Sequence, residues 1–218
     1  MSDLSFTQEY YLCAVNSKGN SPIDGGEFTA CLVIGDIMEM LGQGLISKDE
    51  KNRFSIAKSW DDSLPYTKPV YDAIASSKRP KEAADYLFGL NFKEINNLSS
   101  SIGASLVSAG CADEADNQGF FKNKTKYVPK PEAVTSVIEK VRAEFLEDGP
   151  MTDETVCLAA LLDAGNLIRD YFSKVEAKLL KDRLKEIKES ETYSAVREII
   201  DYIAALYVAI GIPVIATH

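Results

Sequence analysis

Residues 155–168 read TVCLAALLDAGNLI, and this stretch decides the fold. Its apolar side chains recur on nearly every face of a helix. A helix that is hydrophobic all round is buried inside a protein, whereas a surface helix has one polar face. The sequence therefore predicts a central helix at 155–168, around which the other elements pack.

Three further segments have the periodicity of amphipathic helices. Their apolar stripes are Phe92, Ile95, Leu98, Ile102 and Leu106 in 92–110; Val134, Val137, Ile138, Val141 and Phe145 in 132–149; and Leu179, Leu180, Leu184 and Ile187 in 174–190. The lysines of 174–190 are interleaved with acids, which favours a solvated face over a ligand site. Other helices are predicted at 5–16, 28–44, 69–77, 80–90 and roughly 192–210, and Pro69 and Pro80 suit the first turns of theirs.

Two β-hairpins interrupt the helices. Residues 45–58 switch to period two, with Phe54 and Ile56 alternating with polar residues after a charged turn,. A second succession of apolar helix, glycine-rich end and hairpin follows at 92–128, so the plan resembles a winged helix used twice. We predict a mainly α fold, a single globular domain over residues 1–218, with about eight to ten helices around a buried apolar helix and two small β-hairpins.

The composition is that of a soluble globular protein, with 45% apolar and 26% charged residues,. The formal net charge of −9 argues against general nucleic-acid binding, because phosphate contacts need a dominant basic face,. Four cysteines, at 13, 31, 111 and 157, have no CxxC spacing. We interpret them as reduced, buried thiols of a cytosolic protein. The N-terminal sequence lacks the pattern of a secretory signal peptide.

Residues suited to catalysis are scarce. His218 is the only histidine, which removes His-dependent triads and most His-containing metal sites,. IDGGEF (23–28) lacks the Lys-Ser/Thr of a phosphate loop, and the lone glycine of LVIGDI (32–37) favours core packing. Asp61 and Asp62 suit a turn better than an acid–base pair. We expect no enzymatic activity, no cofactor and no bound metal.

The C-terminal run YIAALYVAIGIPVIA (202–216) carries no charge, and a membrane span is one interpretation of it. It is shorter than the ~20 residues that a bilayer needs, and Gly211 and Pro213 interrupt it. The favoured interpretation is a buried helix that ends near Gly211.

The stretch GFFKNKTKYVPK (119–130) gathers two phenylalanines and four lysines without an acid. One interpretation is a hairpin whose phenylalanines fold onto the core while its lysines discourage edge-to-edge strand pairing. The other is a membrane-touching loop, in which an aromatic pair enters the headgroup boundary and lysines stay among anionic lipids. The membrane-contacting residues would be Phe120, Phe121, Lys122, Lys124 and Lys126.

Several segments, taken in order, resemble the Golgi phosphoprotein 3-type domain family. They are SFTQEYYLCAVN, TACLVIGDIMEMLGQGLI with its hairpin, SKRPKEAADYLFGL, a helix ending SLVSAG, and LEDGPMTDETVCLAALLDAGNLIRDYF with the charged helix to KEIKES. The resemblance runs through about residues 5–210 and is most specific at 147–190. The chain looks like the short, single-domain bacterial form of the family.

The resemblance implies a mostly helical domain around a buried apolar helix. In eukaryotic members it implies binding of phosphatidylinositol 4-phosphate on Golgi membranes and capture of the cytosolic tails of glycosylation enzymes. There, a hairpin with an apolar tip contributes to membrane insertion and oligomer contacts, beside a headgroup pocket built from a tryptophan and arginines. The matching positions here fall near Ile23 and at Leu32, Asn96 and Ser99, none of which is basic, and the only tryptophan is Trp60.

Together these observations predict a cytoplasmic, peripheral membrane protein that docks on anionic phospholipid through the 119–130 hairpin. A phosphoinositide is one candidate lipid, a homo-oligomer is one candidate assembly, and protein partners are expected to bind elsewhere on the surface. The alternative is a soluble protein–protein interaction module, in which Phe120 and Phe121 form dimer or partner contacts without lipid. A winged-helix nucleic-acid binder is a third interpretation, disfavoured by the acidic balance.

Overall fold

The computed structural model describes residues 4–22, 25–115, 125–147 and 151–189, together with residues 197, 200–202 and 205. The helices are α1 Phe6–Ala14, α2 Gly25–Gly42, α3 Lys68–Ala75, α4 Ala83–Gly89, α5 Phe92–Ser108, α6 Pro131–Leu146, α7 Asp153–Ala164, α8 Ile168–Tyr171 and α9 Lys174–Glu189, with a 3-10 helix at Pro65–Thr67. The strands are β1 Ile46–Lys48, β2 Phe54–Ile56, β3 Ala112–Ala115 and β4 Lys126–Pro129. Both strand pairs are antiparallel, and the prediction of a mainly α fold with two small hairpins is confirmed.

The predicted central helix is α7. Eight of its 12 residues are buried, including Leu158 and Leu162. The hydroxyl of Thr152 caps the helix by accepting a hydrogen bond from the backbone N–H of Thr155, which satisfies one donor of the first turn,. Helices α1, α2, α6 and α9 all pack against α7. Burial on several sides explains why the sequence of α7 has no polar face.

Helix α1 is buried along its whole length and lies against α2. It begins with a capping box, in which the Ser5 side chain and the Gln8 side chain each bond to the other residue's backbone N–H,. The two helices approach closely at Gly35, where an added Cβ would lie 2.3 Å from Thr7 Oγ1. The approach therefore requires glycine at this position.

The apolar stripes of α5 and α9 are mostly confirmed, with one error in each. Leu98, Ile102 and Leu106 are fully buried, but Phe92 is 80% exposed. Phe92 is the first helical residue after the Asn91 cap, and no described element covers it there. In α9 the buried residues are Ala177, Leu180, Leu184 and Ile187. Leu179 falls outside this spacing and is 51% exposed.

Of the two predictions about prolines at helix starts, one is confirmed and one is wrong. Pro69 lies in the first turn of α3, as expected. Pro80 does not begin α4, which starts three residues later at Ala83. The chain is instead extended at Lys81, whose carbonyl accepts a 2.8 Å hydrogen bond from the backbone N–H of Phe54. Pairing with β2 therefore delays the helix.

One sequence prediction, the buried C-terminal helix, concerns residues that are only partly described. Among the described residues, no helix has the length and hydropathy to span a bilayer. Of the apolar run 202–216, only 202 and 205 are described, and these two, like 197, 200 and 201, are helical.

The four cysteines are free and buried, as the sequence predicted.

Candidate functional site

The second hairpin carries the residues that the sequence predicts to contact a membrane. Its stem is the β3–β4 pair, with Ala112 opposite Pro129 and Ala115 opposite Lys126. Residues 116–124, which join the strands, lie outside the described residues, and with them four of the five predicted contact residues, Phe120, Phe121, Lys122 and Lys124. The fifth, Lys126, begins β4 at the open end of the stem.

One side of the stem is fixed on α5 by Tyr127. The Tyr127 side chain is 9% exposed and lies over Gly103 in the middle of the helix. A Cβ added at Gly103 would lie 2.2 Å from Cδ2 of the tyrosine ring, which is far inside van der Waals contact. Only glycine lets the ring and the helix backbone approach this closely.

The loop after α1 holds the other side of the stem. The Asn16 side-chain oxygen organises this loop by accepting hydrogen bonds from the backbone N–H groups of Lys18 and Asn20, at 2.9 and 3.1 Å,. Gly19 has φ of 68°, and a Cβ there would lie 3.0 Å from Cβ of Lys126. The ammonium of Lys126 donates to Oδ1 of Asn20 at 2.8 Å. Lys126 therefore has a defined partner at the end of the stem next to the joining segment.

Charges on the stem are divided between its strands. Asp113 and Glu114 of β3 are exposed, whereas the basic residues lie on β4 and just after it. Lys130 forms an ion pair with Asp113 at 3.6 Å, with the Asp113 side chain 71% exposed. Such an exposed pair contributes little to stability. The stem by itself is therefore nearly neutral, and any basic character belongs to the joining segment.

The positions matched to the family's headgroup pocket are not assembled into a cationic site. Leu32 is 2% exposed and belongs to the core, so it is not available to a surface ligand. Asn96 and Ser99 are partly exposed on α5, and Ile23 lies outside the described residues. None of the three described positions supplies the guanidinium fork that suits a multivalent phosphate.

A separate polar cluster, which sequence reasoning missed, is buried between α1, α2 and the 3-10 helix. Glu39 accepts a 2.9 Å hydrogen bond from the backbone N–H of Thr7 and a short one from the Tyr66 hydroxyl. Burial raises the pKa of the Glu39 carboxyl, and the hydrogen bonds from Thr7 and Tyr66 act against that rise. Asp36, one turn earlier, is fully buried and has no hydrogen-bond partner for its carboxylate oxygens among the described residues.

The chemistry of this cluster is structural. Asp36 is fully buried and Glu39 is 8% exposed, so the carboxyl groups are closed to solvent and to any substrate. Burial, followed by the neighbouring Glu39, raises the pKa of Asp36 well above its usual value. The contacts join the start of α1 to the middle of α2. The only sequence signal was one acid in the otherwise apolar run LVIGDI.

The pair Asp61 and Asp62, considered as acid–base candidates, lies in a turn. Asp61 Oδ1 accepts a 2.9 Å hydrogen bond from the backbone N–H of Ser63, and Asp62 accepts from the Trp60 indole at 3.3 Å. These are the local bonds that aspartates make in turns. Within the described ranges, no cluster of three or more His, Cys, Asp or Glu side chains has the arrangement of a metal site.

The architecture defines a class of protein: a mainly α domain built around a buried central helix, with two small antiparallel hairpins. The family model described as Golgi phosphoprotein 3 (GPP34) matches residues 7–203. The match covers most of the chain, which therefore belongs to the Golgi phosphoprotein 3 family. A search of curated proteins finds no match to the sequence.

Proposed function

We propose that this member of the Golgi phosphoprotein 3 family is a non-enzymatic, peripheral membrane protein that docks on anionic lipid through the β3–β4 hairpin. The observation that carries the proposal is the fixed stem. Tyr127 seats one strand on α5, and Lys126 is tied to the loop at Asn20. The segment that joins the strands holds Phe120 and Phe121 followed by lysines. Because the stem is fixed, the two ends of that segment are held at a defined position relative to α5.

The magnitudes favour weak, reversible binding. Each lysine near an anionic leaflet contributes about 1 kcal/mol. Each phenylalanine adds roughly 1.5–3 kcal/mol at full burial, and less at an interface. Lys126 contributes less than a free lysine, because its ammonium already donates to Asn20. Once the free-energy cost of association is subtracted, these contributions leave a modest binding free energy. Added salt should weaken the binding, because it screens the lysine contribution.

Lipid selectivity should follow charge density. Leu32 is buried, and Asn96 and Ser99 are uncharged, so the matched pocket positions offer no cation to a phosphorylated headgroup. We expect phosphatidylinositol 4-phosphate to bind little better than other lipids at equal surface charge. Cargo capture, which the family resemblance implies for eukaryotic members, would use a different surface.

Co-flotation with vesicles tests the proposal. The wild-type protein should float with vesicles containing anionic lipid and not with neutral ones, and added salt should reduce the bound fraction. Phe120→Asp with Phe121→Asp should abolish flotation. Changing Lys122, Lys124 and Lys126 to Gln should reduce flotation and flatten its salt dependence, because fewer lipid-facing charges remain.

The chain offers a matched control for the aromatic variant. Phe88 and Phe92 are 63% and 80% exposed on other elements, so Phe88→Asp with Phe92→Asp removes two exposed rings and adds the same charge. This control should still float. Equal loss in both double variants would point to a general effect of charge. Failure of the wild type to bind any anionic vesicle would overturn the proposal and favour the soluble interaction module.

A further inference from the structure

A second candidate binding surface is the groove along α8 and α9, which we call the basic groove. It has a volume of about 700 Å³. Its cationic lining residues are Arg169, Lys174, Lys178, Lys181 and Lys185, with Asp182 as the single acid among the lining residues. In a chain with a net charge of −9, this concentration of cations is a local exception.

The four lysines form one stripe on α9. Their positions, 174, 178, 181 and 185, are separated by four, three and four residues, so each is a helical neighbour of the next,. At about 1.5 Å of rise per residue the stripe is roughly 16 Å long. Like charges at these spacings destabilise a helix. The arrangement is therefore not the usual solvated face, in which acids and bases alternate along one stripe.

Local acids neutralise only part of this charge. Lys178 pairs with Asp182 at 3.1 Å, and Lys181 pairs with Asp163 at 2.7 Å. Arg169, Lys174 and Lys185 make no ion pair with the described residues. Within the described part of the chain, three cations around the groove therefore remain available to an anionic ligand.

An exposed apolar pair on the next face of α9, outside the residues that line the groove, bears on the choice of ligand. Val175 and Leu179 are 70% and 51% exposed and are one helical turn apart. Continuing the same stripe, at the same spacing, are Asp182 and Glu186. Insertion of the apolar pair into an anionic bilayer would bring these two acids against a continuous layer of lipid phosphates of the same sign, which is unfavourable. A peptide can instead direct its acidic side chains to the lysine stripe and place only an apolar side chain on Val175 and Leu179. A free phosphate, in turn, would make no use of the apolar pair.

We propose that the basic groove binds an acidic peptide segment of a partner protein, with an aliphatic side chain of that segment resting on Val175 and Leu179. An extended peptide advances about 3.3 Å per residue, so roughly five residues would span the lysine stripe. Acidic side chains of the peptide would pair with Lys174, Lys185 and Arg169. This surface is separate from the hairpin proposed to contact lipid.

Fluorescence anisotropy with a labelled peptide of alternating glutamate and leucine tests this inference. The full-length wild-type chain should bind the peptide, and binding should weaken as salt is added. Lys174→Glu with Lys185→Glu should weaken binding by about tenfold or more, since two cation–carboxylate contacts become repulsive. Both side chains are exposed and neither forms an ion pair with the described residues, so the variant should fold, and circular dichroism checks this.

Two controls separate specific from general effects. Lys51→Glu with Lys78→Glu makes the same charge change at exposed sites away from the groove and should leave peptide binding within about twofold,. Val175→Ser with Leu179→Ser should weaken binding of the glutamate–leucine peptide but not of a pure glutamate peptide.

The outcomes decide between ligand classes. No salt-sensitive binding of the peptide by the wild type would overturn the inference, as would an equal loss in both lysine variants. If Lys174→Glu with Lys185→Glu instead abolishes flotation with anionic vesicles while peptide binding is unchanged, the groove is a membrane contact and the peptide assignment is wrong.

Discussion

Asp36 holds a carboxyl group where its ionisation is costly. The side chain is fully buried on α2, and neither oxygen has a hydrogen-bond partner among the described residues. Burial, and after it the neighbouring Glu39, raises its pKa in the folded protein. The folded chain therefore keeps a proton that the unfolded chain releases above about pH 4. It follows that the free energy of unfolding falls as pH rises from about 4 towards the raised pKa.

Replacing this carboxyl group should reduce the pH dependence of stability. In Asp36→Asn, the free energy of unfolding should fall less between pH 5 and pH 8 than in the wild type. One proton of difference corresponds to a slope of about 1.4 kcal/mol per pH unit. Urea denaturation at the two pH values measures the change. Part of the slope should remain, because burial also raises the pKa of Glu39 and Glu9.

Asp85→Asn, at an exposed position of α4, is the control and should leave the slope as it is in the wild type. An Asp36→Asn variant with an unchanged pH dependence would mean that Asp36 is solvated or paired in solution.

For a single residue such as Asp36, the sequence predicts burial but does not predict which groups form hydrogen bonds with the side chain. The apolar run around Asp36 correctly indicated core packing, since its neighbours Ile34 and Ile37 are 1% exposed. Whether a buried acid finds a donor depends on side chains brought by other elements. Such tertiary neighbours leave no periodic signal in one sequence.

At the scale of elements, the packing of the second hairpin on α5 depends on Gly103, which has no side chain. Gly103→Ala would place a methyl group against the Tyr127 ring, and the ring cannot move without shifting β4. Overpacking of this kind typically costs 1–3 kcal/mol, so we expect a loss of about that size in the free energy of unfolding. Thermal denaturation followed by circular dichroism would measure it.

Gly42→Ala is the matched control, because an added Cβ there meets nothing within 4 Å. At a helical position the extra methyl group should be neutral or mildly stabilising. Equal stability of the two variants would indicate that Tyr127 does not rest on the helix in solution.

The elements themselves could largely be predicted, because their signals are local. Apolar spacing identified α5, α6, α7 and α9. Period two identified the first hairpin, and the repeated order of apolar helix, glycine-rich end and hairpin identified the second. The four-residue helix α8 is too short to show a period, and the exposure of Phe92 depends on which elements reach the first turn of α5. The lysine spacing in α9 is a sequence signal for the basic groove. It becomes visible only when the acids between those lysines are assigned to other faces of the helix.

At the scale of the whole molecule, the two proposed binding surfaces belong to different sets of elements. The hairpin stem packs on α5, while α9 packs on α6, α7 and α8. Exposed charges on separate elements are screened from one another beyond about 8 Å at physiological salt. The two surfaces should therefore act independently.

This independence can be measured with variants of each surface. Phe120→Asp with Phe121→Asp should remove vesicle flotation while leaving peptide affinity within about twofold, and Lys174→Glu with Lys185→Glu should do the reverse. The combined variant should show both losses, each no larger than in its own double variant. Loss of both activities from one double variant would contradict the separation and indicate a shared surface or a partly unfolded protein.

Because the four cysteine thiols are buried, their reactivity reports how often the core opens locally. Cys13, Cys31 and Cys157 lie in α1, α2 and α7, and Cys111 lies between α5 and β3; none is more than 3% exposed. Burial raises the pKa of Cys13 and takes that of Cys157 to about 12, so these two carry almost no reactive thiolate at neutral pH,. An alkylating reagent can then reach each sulfur only in molecules that have transiently opened around it. The relative modification rates at the four positions would rank the parts of the core by how often each comes apart.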